Sequence, residues 1–202
     1  MQVRELSVPD AYEFTPVQRS DERGLFLEWY RFDVLEEAVG HPLDLRQANT
    51  SVSSRGVVRG IHFADVPPGQ AKYVTVSRGA GLDFVIDIRV GSPTFGRWDS
   101  VVLDDVDRKA VYVPEGLGHV FVALTDDATL NYLVSETYSP EREHDINVLD
   151  PDIALEFPDE LGDLVLSQKD KDAPFLADLV SAGLLPTWDE ARAFYDSLRS
   201  GN

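Results

Sequence analysis

The sequence predicts an all-β protein, a sandwich or barrel of short strands, and three observations predict it. Through the middle of the chain, short runs rich in Val, Ile, Phe, Tyr and Thr follow one another closely, the composition that fits a pleated, half-buried surface. Turn formers separate them: Arg78-Gly79-Ala80-Gly81, Gly91-Ser92-Pro93, Asp104-Asp105, Pro114-Glu115-Gly116 and Thr125-Asp126-Asp127. No stretch between residues 50 and 140 repeats its apolar residues at helical spacing.

In chain order, Val34 to Val39 reads as a short helix stopped by Gly40. The strands run Lys72 to Val76, Leu82 to Val90, Trp98 to Leu103, Ala110 to Val113, His119 to Leu124 and Thr129 to Ser135. Pro140 to Leu185, punctuated by Pro151, Pro158 and Pro174, reads as irregular. A final helix is expected over Trp188 to Leu198, where Thr187 and Glu190 stand at capping-box spacing after Pro186. The expectation is one domain over residues 1–202, with a β core at about 45–140 and a C-terminal helical region at about 175–200. An eight-stranded jelly roll suits this series of strands.

Composition excludes several function classes. The 202 residues are 43% hydrophobic and 27% charged, ordinary for a folded chain. Eighteen basic residues against 36 acidic ones leave a net charge of −18, the wrong sign for binding nucleic acid or an anionic membrane. With no cysteine there is no disulfide, thiolate metal site or thiol catalysis. Arg4, Glu5, Asp10 and Glu13 interrupt the N-terminus, and no apolar run approaches the length of a membrane span, so a cytoplasmic location is expected.

The chain has four histidines: His41, His62, His119 and His144. A metal-binding barrel commonly sets two histidines one residue apart on a strand, and His62 is followed by Phe63 and Ala64, so a metal-free reading is preferred over a site built from His62, His119 and a carboxylate. Strict alternation along Arg59-Gly60-Ile61-His62-Phe63 sets Arg59, Ile61 and Phe63 on one face and His62 on the other. Lys72 opens the next strand, and Tyr132 shares a face with Leu130. Taken alone, each of these residues has an ordinary reading: core histidine, surface cation, barrel aromatic.

A longer set of motifs, in order, changes the balance. It comprises Asp21-Glu22-Arg23-Gly24-Leu25-Phe26-Leu27-Glu28, Gln47-Ala48-Asn49, Gly56-Val57-Val58-Arg59-Gly60-Ile61-His62-Phe63 and Gln70-Ala71-Lys72-Tyr73-Val74. Val85-Ile86-Asp87-Ile88-Arg89, Gly91 to Gly96, Pro114-Glu115-Gly116-Leu117-Gly118-His119, Tyr132, Tyr138-Ser139-Pro140 and Leu166-Ser167-Gln168-Lys169-Asp170 complete it. Over nearly its whole length the chain resembles the dTDP-4-dehydrorhamnose 3,5-epimerase family.

That resemblance implies a cupin-like jelly roll, free of metal and cofactor, that works as a homodimer on a dTDP-4-keto-6-deoxyhexose. It makes His62 the base, Asp170 the carboxylate behind it, Tyr132 the proton donor on the opposite face of the sugar, and Lys72 the cation near the ketone oxygen. Arg59, Arg23 and Lys169 match cations for the diphosphate or its surroundings. Gln47, Asn49 and Glu28 match hydrogen-bonding partners of base or sugar, His119 lies beside the reacting ring, Tyr138 stacks on thymine, and Glu143 contacts the ligand. Arg23, Phe26 and Glu28 are expected to reach the partner subunit's site. Two departures bear on specificity: Leu133 stands where many members carry lysine after the tyrosine, and Gly118 where many carry alanine. They keep open a mono-epimerase acting at C3 or C5 alone. A non-catalytic sugar-nucleotide binder and a metal-dependent cupin enzyme are the rivals from other classes.

Overall fold

Two antiparallel sheets face one another in a jelly roll in the computed structural model, which describes residues 1–201. The chain opens with β1 (Gln2–Glu5), β2 (Tyr12–Thr15), β3 (Gln18–Asp21) and β4 (Gly24–Leu27), followed by α1 (Phe32–Val39). The central series is β5 (Gln47–Ser53), β6 (Val58–Ala64), β7 (Lys72–Arg78), β8 (Ala80–Ile86), β9 (Trp98–Asp104), β10 (Ala110–Val113), β11 (Gly118–Ala123) and β12 (Ala128–Val134). A short β13 (Glu143–Asp145) precedes α2 (Gln168–Lys171), α3 (Leu176–Ala182) and α4 (Trp188–Ser200). One sheet has six strands in the order β1-β2-β10-β7-β12-β5, the other five in the order β13-β6-β11-β8-β9, and β3 with β4 forms a separate hairpin.

Side-chain alternation divides the apolar residues into three layers. Between the sheets lie Val74, Val76, Val111 and Leu130 from one and Val85, Leu103, Phe121 and Ala123 from the other. The outer face of the five-stranded sheet, with Phe84, Ile86, Val120 and Val122, is covered by Ile153, Leu176, Leu179 and Leu185 of the C-terminal segment. On the outer face of the six-stranded sheet, Tyr73, Tyr112 and Leu133 meet Leu35 and Val39 of α1. A strand such as β11, covered on both faces, therefore reads as an unbroken apolar run.

The expected elements form with small shifts. Helix α1 ends at Gly40, whose φ of 86° is the left-handed conformation a C-cap glycine supplies. In α4 the Thr187 side chain accepts from the Glu190 N–H, and Glu190 answers at the cap. Three expectations need correction. The β structure is not confined to 45–140, because β1 and β2 join the six-stranded sheet and β13 the other. Residues 140–185 are not irregular throughout, since they hold β13 and α2 as well as α3, which lies inside the helical region expected at about 175–200 and is held by burial of Leu176 and Leu179. The strand read as ending at Val90 stops at Ile86. Beyond it Arg89 is fully buried, donates to Asp87 and Asp10, and lies 4.6 Å under the Trp188 ring. Among the described residues no helix is long and apolar enough to cross a membrane.

Candidate active site

His62 reaches the space between the sheets because β6 is irregular. Against β11, His62 pairs with His119 and Arg59 with Phe121, and the register slips between them, so one extra residue is absorbed around Gly60. Gly60 sits at φ 127°, and a Cβ there would meet the His119 carbonyl oxygen at 2.4 Å. The slip overturns the expected alternation. Ile61 and Phe63 join the outer cluster, whereas Arg59 turns inward with His62 and donates from Nε to Ser53 Oγ at 3.0 Å.

Two carboxylates stand behind the imidazole. Asp170 Oδ1 lies 3.1 Å from His62 Nε2, and its other oxygen accepts from Ser167 Oγ at 2.7 Å. Ser167 caps α2 by accepting from the Asp170 N–H, so one serine orients the carboxylate twice. Burial pushes the Asp170 carboxyl up, but its bonds to His62 and Ser167 and the charge of Lys169 outweigh this and hold it below the usual range. Asp145, opposite His62 in the β6–β13 register, places Oδ1 3.5 Å from Nε2 and binds Lys169 Nζ through Oδ2 at 2.9 Å. With Nε2–H directed at carboxylates, Nδ1 is the nitrogen with a free lone pair. The His62, Asp145 and Asp170 ligand atoms lie within 4.8 Å of one another, the one grouping of metal-site spacing among the described residues. Its donors already engage Lys169, Ser167 and each other.

The six-stranded sheet supplies the opposing wall. Along β12, Leu130 points into the interior cluster and Tyr132 packs beside it, with Asn49 directly opposite on β5. Gln47 shares that face and donates to Asn49 Oδ1 at 2.7 Å. Burial raises the Tyr132 phenol, while nearby Arg59 works against the shift and Glu143 with it, so the group remains a proton donor at neutral pH. Lys72 begins β7 on the same inward face as Val74, and burial lowers its ammonium to about 8, opposed by the charges of Glu143 and Glu115. Glu143 is steadied by Gln70 Nε2 at 3.4 Å and the Ser139 N–H at 3.2 Å. A base and a phenolic acid thus approach one interior from facing sheets, with a cation and two neutral amides along the wall.

His119 lies inside too, its Nε2 2.7 Å from Oδ1 of the fully buried Asp83. Tyr138 is 60% exposed at the rim, its N–H donating to Gln47 Oε1 at 3.3 Å. Arg23, Phe26 and Glu28 are not brought to this interior by their own chain. Arg23 folds onto Asp21 in the hairpin turn, Phe26 is 65% exposed, and Glu28 pairs with Arg31. The two departures from the family pattern also face away. Leu133 packs on the outer side against the α1 layer, and a Cβ on Gly118 would meet Ile61 Cγ2 at 2.6 Å on the opposite outer side.

Sequence reasoning missed Asp83, Asp145 and Ser167. Asp83 left a signal, a lone acid inside the apolar run of β8, while Asp145 and Ser167 gain meaning only through strand register and helix capping.

A family model described as dTDP-4-dehydrorhamnose 3,5-epimerase matches residues 5–178. The chain is 56% identical over 199 residues to a dTDP-4-dehydrorhamnose 3,5-epimerase of Mycolicibacterium smegmatis, covering 98% of both chains. It is also 56% identical over 193 residues to a dTDP-4-dehydrorhamnose 3-epimerase of Streptomyces niveus, covering 96% of this chain and 92% of that one. The solved structure of the Mycobacterium tuberculosis rmlC epimerase matches with a TM-score of 0.97 at 51% identity, covering 98% of this chain and 100% of the other.

Proposed function

The chain belongs to the dTDP-4-dehydrorhamnose 3,5-epimerase family, and from that premise we propose that it inverts C3 and C5 of dTDP-4-keto-6-deoxy-D-glucose by proton transfer through an enolate. The observation that carries the mechanism is the placement of His62 and Tyr132 on facing sheets around one interior. A hydrogen on a carbon beside the C4 ketone is acidic because the electron pair it leaves spreads onto the ketone oxygen. His62 Nδ1 takes that proton, and Asp170 stabilises the resulting imidazolium. Lys72 meets the charge developing on oxygen. Tyr132 returns a proton to the other face of the same carbon, which inverts it. C3 and C5 both flank the ketone, so the same pair serves both. Only protons move, and the reaction needs no redox cofactor or metal; a chelator is expected to leave turnover unchanged.

The nucleotide end is read as Tyr138 against thymine, Gln47 and Asn49 on the base or sugar, and Arg59 and Lys169 toward the diphosphate, with Glu143 and His119 beside the hexose. The exposed β3–β4 hairpin is read as an arm that delivers Arg23, Phe26 and Glu28 to the second subunit of a homodimer.

Turnover in heavy water tests the reaction. Stable deuterium at both C3 and C5, in a product reducible to dTDP-rhamnose, is the expected result. The similarity to the Streptomyces niveus 3-epimerase favours a second reading, inversion at C3 alone, and label confined to that carbon would establish it instead.

A further inference from the structure

Lys169, read as a cation for the diphosphate, is held in an ion pair by a carboxylate of the site. Its side chain is 60% exposed, yet its ammonium sits 2.9 Å from Asp145 Oδ2, and that hydrogen bond is the main cause raising its pKa. Tyr138, read as the thymine platform, lies near Lys169, so the lysine stands beside the nucleotide end of the site. Asp145 is only 12% exposed. Its Oδ1 is buried without a hydrogen-bond partner, 3.5 Å from His62 Nε2. One carboxylate therefore faces an outer cation with one oxygen and the imidazole with the other. Asp170 has no such freedom, because both its oxygens are engaged, by His62 and by Ser167.

We propose that Asp145 is a positioning residue that couples capture of the diphosphate by Lys169 to activation of His62. In the free protein its charge is shared between Lys169 and the imidazole. When Lys169 turns to the diphosphate, that charge acts on His62 alone and favours the imidazolium formed as the sugar loses its proton. The ion pair thus opposes ligand binding and, once broken, assists the chemistry. The proposal rests on the reading of His62 as base and Lys169 as diphosphate ligand.

The test is a double-mutant cycle on Asp145→Asn and Lys169→Gln, which isolates the energetic link between two side chains. Two quantities are read: the Kd for thymidine diphosphate by calorimetry, and kcat at saturating dTDP-4-keto-6-deoxyglucose. Asp145→Asn is expected to bind thymidine diphosphate about threefold to tenfold more tightly, a modest gain because Lys169 is largely exposed. The gain should vanish when Lys169→Gln is also present, and kcat should fall by about tenfold, the scale of one partly screened charge beside the base. Unchanged affinity, a gain that persists without Lys169, or an unchanged kcat would overturn the proposal. Asp145→Ser, which also removes the charge, must give the same pattern and serves if the amide variant does not fold. His62→Ala is assayed in parallel: full turnover there would bring down the reading of the base itself, whereas lost turnover there with an unchanged kcat in Asp145→Asn would bring down the coupling alone.

Discussion

A lysine enclosed between two sheets loses its charge sooner than one in water, because burial disfavours the ammonium. For Lys72 the value falls to about 8, which places the loss within the range where the enzyme can be assayed. The sign is fixed: the cation proposed to meet the enolate oxygen is present below about pH 8 and disappears above it. Turnover should decline on the alkaline side of that value. In Lys72→Gln the decline should vanish and the plateau drop by about 10²-fold, the usual loss on removing one group that stabilises a developing oxyanion. An alkaline limb that survives in Lys72→Gln would assign it elsewhere. At this scale legibility was uneven. His62, Tyr132, Lys72 and Asp170 were named through the family resemblance, while the inward turn of Arg59 was hidden, because a register slip at Gly60 breaks the two-residue period on which the reading relied.

Elements are joined by a buried cluster at the end of β8. Arg89 donates to both oxygens of Asp87, at 2.9 Å each, and to Asp10 of the β1–β2 connection, and it lies against Trp188 at the start of α4. Ser92 and Thr94 each donate to Asp87 Oδ2 at 2.6 Å. Burial works to raise the Asp87 carboxyl, but Arg89 and the two hydroxyls hold it below the usual range. Asp87→Ala leaves the buried Arg89 guanidinium with Asp10 as its remaining carboxylate, and removing one partner of a buried ion pair typically costs about 3–5 kcal/mol. A carboxyl with a depressed folded-state pKa stabilises above its unfolded value and loses that contribution as pH falls through the folded one. Urea unfolding should therefore separate the variant from the parent widely at pH 7 and less at pH 3; an equal gap at both would remove the ionised carboxylate from the account. Strands covered on both faces and the capped α4 could be read from sequence. Strand β1 could not, because all four of its residues are exposed and show no alternation. Helix α3 lies inside the helical region expected at about 175–200, but the prolines before it hid it as a separate element, and its stability comes from packing on β-sheet residues distant in sequence.

At the scale of the whole molecule the β3–β4 hairpin stands apart from both large sheets. It forms a separate two-stranded sheet and exposes Leu25, Phe26 and Val17. Sedimentation is expected to give twice the 22.5 kDa chain mass. Mixing tests the exchange of arms. An Arg23→Ala/Phe26→Ala subunit keeps His62, and a His62→Ala subunit keeps its arm, so a mixed dimer assembles one complete site. Activity should reappear when the two weak proteins are combined and re-equilibrated; no recovery would mean that each arm serves its own subunit. Leu133 and Gly118 both face away from the interior.

The most direct test of the facing-sheet arrangement follows label and stereochemistry separately in two variants. In heavy water, Tyr132→Phe should still exchange the hydrogens beside the ketone, because His62 can return deuterium to the face it came from, while inversion falls by about 10²-fold or more. His62→Ala should lose exchange and inversion together. Exchange that survives in His62→Ala and vanishes in Tyr132→Phe would contradict the account, because the proton would then leave toward the phenol and not the imidazole.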